Sequence, residues 1–278
     1  MTLHTIDTGF FKLDGGAMFG VVPKSIWQKT NPADENNMCT WAMRCLLVEE
    51  GDRLVLIDTG IGNKQDEKFL RHYYLHGDDT LEKSLAAKGF SADDITDVFL
   101  THLHFDHVGG AIIREDEKLL PAFKNAAYWS SEDHWNWAVN PNPREKASFL
   151  KENILPIQES GQLNFVDLDK NQFMPGFEWN FAFGHTEAMM IPKLKYKDRT
   201  VIYAADLLPS TGHIPLPYVM SYDMFPLQTL IEKKEFLEEA AANDYVIYLE
   251  HDPVNECCTV EQTEKGIKLK NIFKLSDL

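Results

Sequence analysis

The chain has 278 residues, of which 44% are hydrophobic, and its 43 acidic residues outnumber its 27 basic ones, giving a formal net charge of −16. This length and composition allow a sizeable hydrophobic core and exclude the intrinsically disordered class. The acidic balance excludes a nucleic-acid partner, because binding to a phosphate backbone needs a cationic face.

The sequence shows neither a targeting signal nor a membrane-spanning segment. The segment MTLHTIDTGFF at the start carries neither a basic region nor a long apolar run, as a secretory signal would. No run of about 18 uncharged apolar residues predicts a membrane span. The cysteines lack C-x-x-C spacing, which is typical of reduced packing thiols: Cys39, Cys45, Cys257 and Cys258. We therefore expect a cytoplasmic protein without a membrane partner.

Short runs rich in Val, Ile, Tyr and Phe predict β-strands. They cover residues 42–49, 53–58, 97–101, 126–130, 179–183, 200–205 and 245–250. Helical patterns lie between them at 79–89, with a capping-box-like start at Asp79, and at 226–242, with Pro226 at its start. The second helix is expected to bury one apolar face made of Leu227, Leu230, Ile231 and Leu237. Strands that alternate with helices predict stacked α/β layers.

Two segments interrupt this pattern within a single predicted domain of residues 1–278. Residues 14–40 are long, irregular and partly apolar, and loops of that length are usually functional or disordered. Residues 129–150 are rich in tryptophan and resemble an inserted helical cap. Both segments are compatible with a substrate lid, with ordinary packing or with a subunit interface.

The stretch THLHFDHVGG, residues 101–110, concentrates candidate metal ligands. In an extended segment, His102 and His104 point to the same side because they are two residues apart. Asp106 and His107 follow where the chain is expected to turn into a helix. Imidazole nitrogens and carboxylate oxygens suit zinc or a similar divalent ion. Four ligands within six residues strain one tetrahedral ion, which favours a division between two metals.

A dinuclear site needs further ligands from other strands. His185, Asp206 and His251 each follow a predicted strand, after the runs 179–183, 200–205 and 245–250. Residues at strand ends converge on one edge of a sheet, where binding sites commonly form. The sequence therefore predicts a two-metal site assembled from four separate segments.

The motif HLHFDH matches the H-x-H-x-D-H signature of the metallo-β-lactamase superfamily. LIDTG (56–60), GHT (184–186), Asp206 and EHDP (250–253) follow in the order found in that family. The resemblance covers nearly the whole chain and implies an αββα sandwich, an α/β fold of four layers. Where many relatives have Pro-Gly after G-H-T, this chain has Glu187-Ala188, which leaves the path of that loop open.

The resemblance also implies a division of the ligands. The first metal would be held by His102, His104 and His185, and the second by Asp106, His107 and His251, with Asp206 bridging the two. Asp58 would steady a ligand histidine from behind. The implied cofactors are two divalent ions, with zinc expected and manganese, iron or cobalt as alternatives.

Two such ions about 3.5–4 Å apart lower the pKa of a shared water and supply a bridging hydroxide at neutral pH. This hydroxide can attack a carbonyl or phosphorus centre, and Asp206 would orient it. Proton delivery to the leaving group needs another donor, for which Tyr222, His213 and Asp106 are candidates. A tyrosine near the site contacts the substrate in lactonases of the family, so we select Tyr222.

The block 14–27 followed by LIDTG resembles the N-acyl-homoserine-lactone lactonases and the related organophosphate hydrolases. In that branch the N-terminal loop contributes to the substrate pocket and to a homodimer interface. The expected pocket residues, which would accept an acyl chain, are Phe19, Val21, Pro23, Ile26 and Trp27, with Trp135 and His213 as further candidates. The leading hypothesis is therefore the hydrolytic opening of a lactone, most plainly an acyl-homoserine lactone.

Other functions use the same ligand set. A phosphotriesterase or arylesterase would need a more aromatic pocket, for which Trp129, Trp135 and Trp137 are candidates. A tRNA-processing nuclease is disfavoured by the net charge. Redox relatives carry glutamate in place of His104, and a non-catalytic binding protein would not need every metal ligand.

Overall fold

The computed structural model describes all residues from 1 to 278. Its strands are β1 (Thr2–Asp14), β2 (Met38–Glu50), β3 (Arg53–Ile57), β4 (Asp97–Phe99), β5 (Ile112–Glu115), β6 (Lys118–Pro121), β7 (Ala127–Ser130), β8 (Leu163–Phe165), β9 (Gln172–Met174), β10 (Phe177–Ala182), β11 (Met189–Tyr196), β12 (Arg199–Tyr203), β13 (Val246–Tyr248), β14 (Cys257–Thr263) and β15 (Gly266–Phe273). All seven predicted strands are present, each displaced by a few residues at most.

Eight α-helices lie between these strands. They are α1 (Gly15–Phe19), α2 (Lys24–Trp27), α3 (Glu67–Leu70), α4 (Leu81–Ala87), α5 (Phe105–Val108), α6 (Glu132–Val139), α7 (Lys151–Glu159) and α8 (Pro226–Ala242). Short 3-10 turns cover Ala92–Asp94, Gly109–Ala111, Ala205–Leu207, Thr211–His213 and Leu275–Asp277. None of the helices is long and apolar enough to cross a membrane.

The strands form two main sheets. The first has the order β1-β2-β3-β4-β7-β8, and its strands from β3 onward run parallel to one another. The second has the order β15-β14-β13-β12-β11-β10-β9 and is antiparallel except for the β12–β13 pair. A separate hairpin joins β5 and β6.

The side chains of the central strands alternate between two hydrophobic cores. Val55 and Ile57 of β3 face the core between the sheets, whereas Leu54 and Leu56 contact the core beneath the outer helices. This period of two is expected of a strand that is covered on both faces. The helices α4, α6 and α7 cover the first sheet and α8 covers the second, so the predicted αββα architecture is confirmed.

The segment 14–40 is more ordered than predicted. It contains α1 and α2 and packs into a third core next to β2, in which Phe19 stacks on Trp27 with ring centroids 5.3 Å apart. Both rings are buried, as are Trp41 and Phe11 in the same core. The second interrupting segment, 129–150, starts inside β7 and continues as α6, so it belongs to the outer helical layer rather than to a separate cap.

Helix α8 has the predicted bounds, but the prediction of its buried face is wrong. Leu227 is 76% exposed and Ile231 is 53% exposed, whereas Leu237 is buried as expected. The buried side also carries Thr229 and Lys233. The helix therefore packs through a partly polar face and leaves two large apolar side chains at the surface.

Lys233 is buried because three backbone carbonyls accept hydrogen bonds from its ammonium group. Its Nζ donates to the carbonyl oxygens of His213, Pro215 and Tyr218 at 3.0, 3.3 and 2.8 Å. Burial lowers the pKa of Lys233 to about 7. These bonds satisfy the carbonyls of the 213–218 loop, which has no strand partner, and tie this loop to α8.

His213 is a core residue rather than a pocket residue. Its ring stacks on Phe19 with centroids 4.4 Å apart, its Nε2 donates to the Met18 carbonyl at 3.0 Å, and its Nδ1 accepts from the Ser210 hydroxyl at 2.8 Å. Burial lowers the pKa of His213 from 6.5 to about 3. The neutral ring is therefore the form that the folded protein stabilises.

This arrangement predicts an acid-sensitive core. Because the pKa of His213 is lower in the folded chain, its contribution to stability is complete above about pH 6.5 and declines as the pH falls toward 3, by about 1.4 kcal/mol per pH unit. Urea unfolding at pH 6 and pH 4.5 should show a smaller acid-induced loss of stability in His213→Gln than in the wild type. His72→Gln, at an exposed position, should keep the wild-type loss. Equal losses in all three proteins would contradict the prediction.

Candidate metal centre

The predicted ligands meet at one edge of the sandwich, at the ends of β4, β10, β12 and β13. The loop after β4 and the short helix α5 carry His102, His104, Asp106 and His107. His185 follows β10, Asp206 lies in the turn after β12, and His251 follows β13. All seven side chains are buried.

The ligand atoms form two adjacent groups. Those of His102, His104, His185 and Asp206 lie within 4.8 Å of one another, and so do those of Asp106, His107 and His251. Asp206 joins the groups, because its Oδ2 lies 3.0 Å from His185 Nε2 and its Oδ1 lies 2.9 Å from His251 Nε2. We call these the first and second ligand groups.

In the first group, the outer nitrogen of each ring has a hydrogen-bond acceptor. Thr101 Oγ1 lies 3.1 Å from His102 Nδ1, and Glu145 Oε1 lies 3.0 Å from His104 Nε2. Asp223 Oδ1 lies 2.9 Å from His185 Nδ1. In the neutral form of each ring, these contacts keep the proton on the outer nitrogen and leave the inner nitrogen as the base that can bind a metal.

The second group is fixed in the same way. His251 Nδ1 donates to the Ala42 carbonyl at 2.8 Å. His107 Nδ1 lies 3.1 Å from Asp58 Oδ2, the carboxylate predicted to support a ligand histidine, and 3.1 Å from Glu250 Oε2. Asp58 also accepts from the Thr101 backbone N–H and hydroxyl, which ties the ligand loop to the end of β3.

The inner nitrogens face one another at the spacing of metal ligands. His104 Nδ1 lies 3.1 Å from His102 Nε2 and 3.2 Å from His185 Nε2, and the Nε2 atoms of His107 and His251 are 3.2 Å apart. Ligand nitrogens about 2.0–2.1 Å from one tetrahedral ion lie roughly 3.3 Å apart. Asp206 Oδ1 is buried without a hydrogen-bond partner. The residues therefore fit two divalent ions joined by Asp206.

The Asp206 carboxylate and the ligand histidines influence the pKa values of one another. Burial raises the pKa of Asp206, but the positive charges of protonated His185, His251 and His107 reverse this effect and hold the pKa well below its usual range. Burial lowers the pKa of His102 well below its usual range. Burial lowers the pKa of His185 and of His251, but the Asp206 carboxylate reverses this effect and raises the two pKa values to about 10 and about 9. Metal binding requires neutral imidazoles and an ionised carboxylate, so a divalent ion bound here would displace the protons of these two rings.

Several residues of the centre were not predicted. Glu145, Asp223 and Glu250 contact ligand histidines, and His134 joins two ligand loops. His134 Nε2 accepts from the Leu103 backbone N–H at 2.8 Å, and its Nδ1 lies 2.5 Å from the Glu187 carbonyl. Of these residues, only Glu250 and Asp223 could have been recognised from the sequence, because each is an acidic residue directly next to a predicted site residue.

The His134 contact also accounts for the loop that lacks the family's Pro-Gly. Glu187 is held through its backbone carbonyl by His134, and Ala188 adopts a positive φ of 49°. A left-handed residue at this point reverses the chain, as glycine would in a Pro-Gly turn. His185 keeps its position because its flanking backbone is fixed from α6.

A cavity of about 320 Å³ opens above the two ligand groups. Besides the ligands, its lining includes Leu13, Met18, Tyr73, Phe105, Arg144, Glu145, Ala147, Ser148, Met220, Ser221, Tyr222 and Met224. Tyr222, the proton donor selected from the sequence, lies in this lining and is 37% exposed. The cavity walls are mainly apolar and aromatic, while its floor carries the candidate metal ligands.

The other predicted pocket residues lie elsewhere, and the prediction needs correction for each of them. Phe19, Trp27 and His213 are buried in the third core, and Trp135 is buried beneath the first sheet. Val21 and Ile26 are 90% and 46% exposed and do not line the cavity. The physical reason is packing: the aromatic rings turn inward, while neighbouring methionines and tyrosines form the walls.

Comparisons with known proteins agree with the fold and the ligand pattern. A family model described as Metallo-beta-lactamase superfamily matches residues 44–251. The N-acyl homoserine lactonase AiiA of Bacillus thuringiensis subsp. kurstaki is 24% identical over 173 residues. This match covers 58% of the present chain and 60% of the relative, so the chain spans less than two thirds of the length of that curated relative.

Solved structures share the fold over nearly the entire chain. A probable metal-dependent hydrolase from Staphylococcus aureus superposes with a TM-score of 0.88 at 28% identity, covering 100% of this chain and 98% of its own. AidC, a dizinc quorum-quenching lactonase solved with a product, N-hexnoyl-L-homoserine, superposes with a TM-score of 0.80 at 23% identity, covering 96% and 93%.

Because Asp206 contacts both ligand groups, its removal should weaken metal binding strongly. Asp206→Ala should lower the content of tightly bound metal from two equivalents to one or fewer, because each ligand group loses a carboxylate oxygen. Elemental analysis after dialysis against a weak chelator measures this loss. Asp78→Ala, which removes an exposed carboxylate, should retain both equivalents. Full metal content in Asp206→Ala would contradict the assignment.

Proposed function

This chain belongs to the metallo-β-lactamase superfamily, and we propose that it is a dinuclear metal-dependent hydrolase that opens lactone rings, acyl-homoserine lactones in particular. The observation that carries the proposal is the pair of ligand groups joined by Asp206 at the floor of an apolar cavity. The AiiA and AidC likenesses support a lactone as the substrate.

We propose a set of ligands for each metal. His102, His104 and His185 would hold the first ion, Asp106, His107 and His251 the second, and Asp206 both. Zinc is the proposed metal because imidazole and carboxylate ligands suit it, with manganese, iron or cobalt as alternatives. Divalent ions bound there would activate water for attack on a carbonyl carbon and stabilise the negative charge that develops.

The side chains of the cavity bind and orient the substrate. Met18, Met220 and Met224 offer flexible apolar surface that suits an acyl chain. Asp206, which lies between the two ligand groups, would orient the attacking water there. The walls also exclude water from the reacting carbonyl, which strengthens electrostatic interactions inside the cavity.

Tyr222 is the proposed donor to the substrate. Burial and the neighbouring Tyr73 raise the pKa of its hydroxyl above the ordinary value of 10, so Tyr222 keeps its proton at neutral pH. A protonated phenol in the cavity lining donates a hydrogen bond to a carbonyl oxygen or a proton to the leaving alkoxide. Asp106 also lines the cavity and is the second candidate for this transfer.

A phosphotriesterase or arylesterase is the alternative on the same site. It is favoured by the aromatic rings of Tyr73, Phe105 and Tyr222, which lie in the cavity lining and suit an aryl leaving group. The tryptophans considered for this purpose are absent from the lining.

We further propose a homodimer that uses the N-terminal segment. Its support is the exposure of Val21 and Ile26, two apolar side chains that face solvent in the single chain. We also propose a cytoplasmic location and small-molecule substrates. The net charge of −16 supports the further proposal that the protein has no nucleic-acid partner.

A substrate panel tests the activity. Protein loaded with zinc or manganese is expected to hydrolyse acyl-homoserine lactones of increasing chain length, with kcat/KM above that for simple lactones because the apolar walls bind the chain. Paraoxon-like triesters and aryl esters should be slower. The proposal is wrong if the metal-loaded protein leaves every lactone intact, and faster triester hydrolysis would support the alternative.

Tyr222→Phe tests the proposed donor. Loss of the hydroxyl should lower kcat/KM for lactones by about tenfold or more, because one hydrogen bond to a charged group contributes about 1.5–3 kcal/mol. Tyr74→Phe, at a residue that is 51% exposed and outside the cavity, serves as the control. An unchanged pH–rate profile and kcat/KM in Tyr222→Phe would exclude this role.

A further inference from the structure

Glu145 is a buried carboxylate in the loop between α6 and α7. Its side chain is 1% exposed, and it reaches the metal centre from the segment 129–150. A buried charge is costly unless hydrogen bonds compensate for it, so its partners indicate why it is retained.

Four donors surround the Glu145 carboxylate. Oε1 accepts from His104 Nε2 at 3.0 Å and from the Thr186 hydroxyl. Oε2 accepts from Trp137 Nε1 at 2.7 Å and from Asn142 Nδ2 at 3.1 Å. The indole N–H of Trp137 and the amide NH₂ of Asn142 can only donate, so Oε2 is an acceptor in both contacts. Both oxygens therefore act only as acceptors.

The contact with His104 determines which ring nitrogen of that histidine is free. Because Nε2–H donates to Glu145, Nδ1 carries no proton and faces His102 Nε2 and His185 Nε2 at 3.1 and 3.2 Å. The opposite tautomer would place a proton on Nδ1, between the nitrogens of the first ligand group. That proton would prevent His104 from acting as a ligand.

We propose that Glu145 is a positioning residue of the first ligand group, which fixes the tautomer and ring orientation of His104. The inference rests on the proposed metal centre, but not on the identity of the substrate. It gives the segment 129–150 a role in metal binding. Because Trp137 and Asn142 hold the other carboxylate oxygen, the same segment also fixes Glu145 itself.

Glutamine in place of Glu145 is the sharpest test, because it keeps the shape and changes one acceptor into a donor. If the glutamine NH₂ faces His104, it favours the tautomer with the proton on Nδ1, which cannot bind the metal. If the NH₂ takes the position of Oε2, it faces the N–H donors of Trp137 and Asn142 and has no acceptor there. Either orientation should weaken the first ligand group. Second-sphere partners of this kind typically contribute 10–100-fold to metal affinity.

The experiment is a chelator competition with zinc on the purified full chain. For Glu145→Gln, one metal equivalent should bind about 10–100-fold more weakly, while the affinity for the other stays near that of the wild type. Glu152→Gln, in the exposed pair with Arg114, is the matched control and should bind both equivalents as the wild type does. Circular dichroism of each metal-loaded variant verifies the fold.

A second variant separates positioning from general loosening of the structure. Trp137→Phe removes one of the two donors that face Oε2. In the double variant Trp137→Phe/Glu145→Gln, the glutamine NH₂ can then occupy that position with less repulsion while its oxygen accepts from His104. The double variant should therefore bind zinc more tightly than Glu145→Gln alone. Wild-type affinity in Glu145→Gln, equal weakening of both equivalents, or no gain in the double variant would overturn the proposal. Metal binding without lactone hydrolysis would instead contradict only the proposed function.

Discussion

Five buried imidazoles direct their inner nitrogens toward two small spaces, and the rest of the structure is arranged around this constraint. Nitrogen atoms about 3 Å apart in a medium of low dielectric constant repel one another through their lone pairs unless a proton or a metal ion lies between them. The fold holds them there by giving every outer nitrogen an acceptor, drawn from β2 and from four loops, one of which directly follows β3. Asp206 then directs one carboxylate oxygen toward each of the two spaces.

The sandwich and the ligand set could be predicted because each depends on short-range patterns. β3 and β13 alternate their side chains between two cores, which gives strong apolar runs in the sequence. His185, Asp206 and His251 directly follow such runs, and strand ends converge by topology alone. The metallo-β-lactamase resemblance, which the family match confirms, supplied the pairing of ligands with metals.

The cavity walls and supporting residues could not be predicted because they depend on contacts between distant segments. Phe19 and Trp27 are as apolar as any pocket residue, yet they stack on each other inside the third core. Glu145 lies 41 residues from His104, and no spacing rule joins them. On α8, periodicity misassigned the buried face because Lys233, a residue usually exposed, is buried by its three carbonyl partners.

Lys233 also limits which changes of sequence can alter the shape of the binding cavity. The loop it anchors at residues 213–218 continues directly into Met220, Tyr222 and Met224, which form one wall of the cavity. Because the loop is hydrogen-bonded to α8, this wall of the cavity is already ordered without a substrate. Substrate binding therefore does not carry the entropic cost of ordering the wall. New substrate preferences would then arise by exchanging side chains on a fixed backbone, while loop insertions at 213–218 would first have to replace three buried hydrogen bonds.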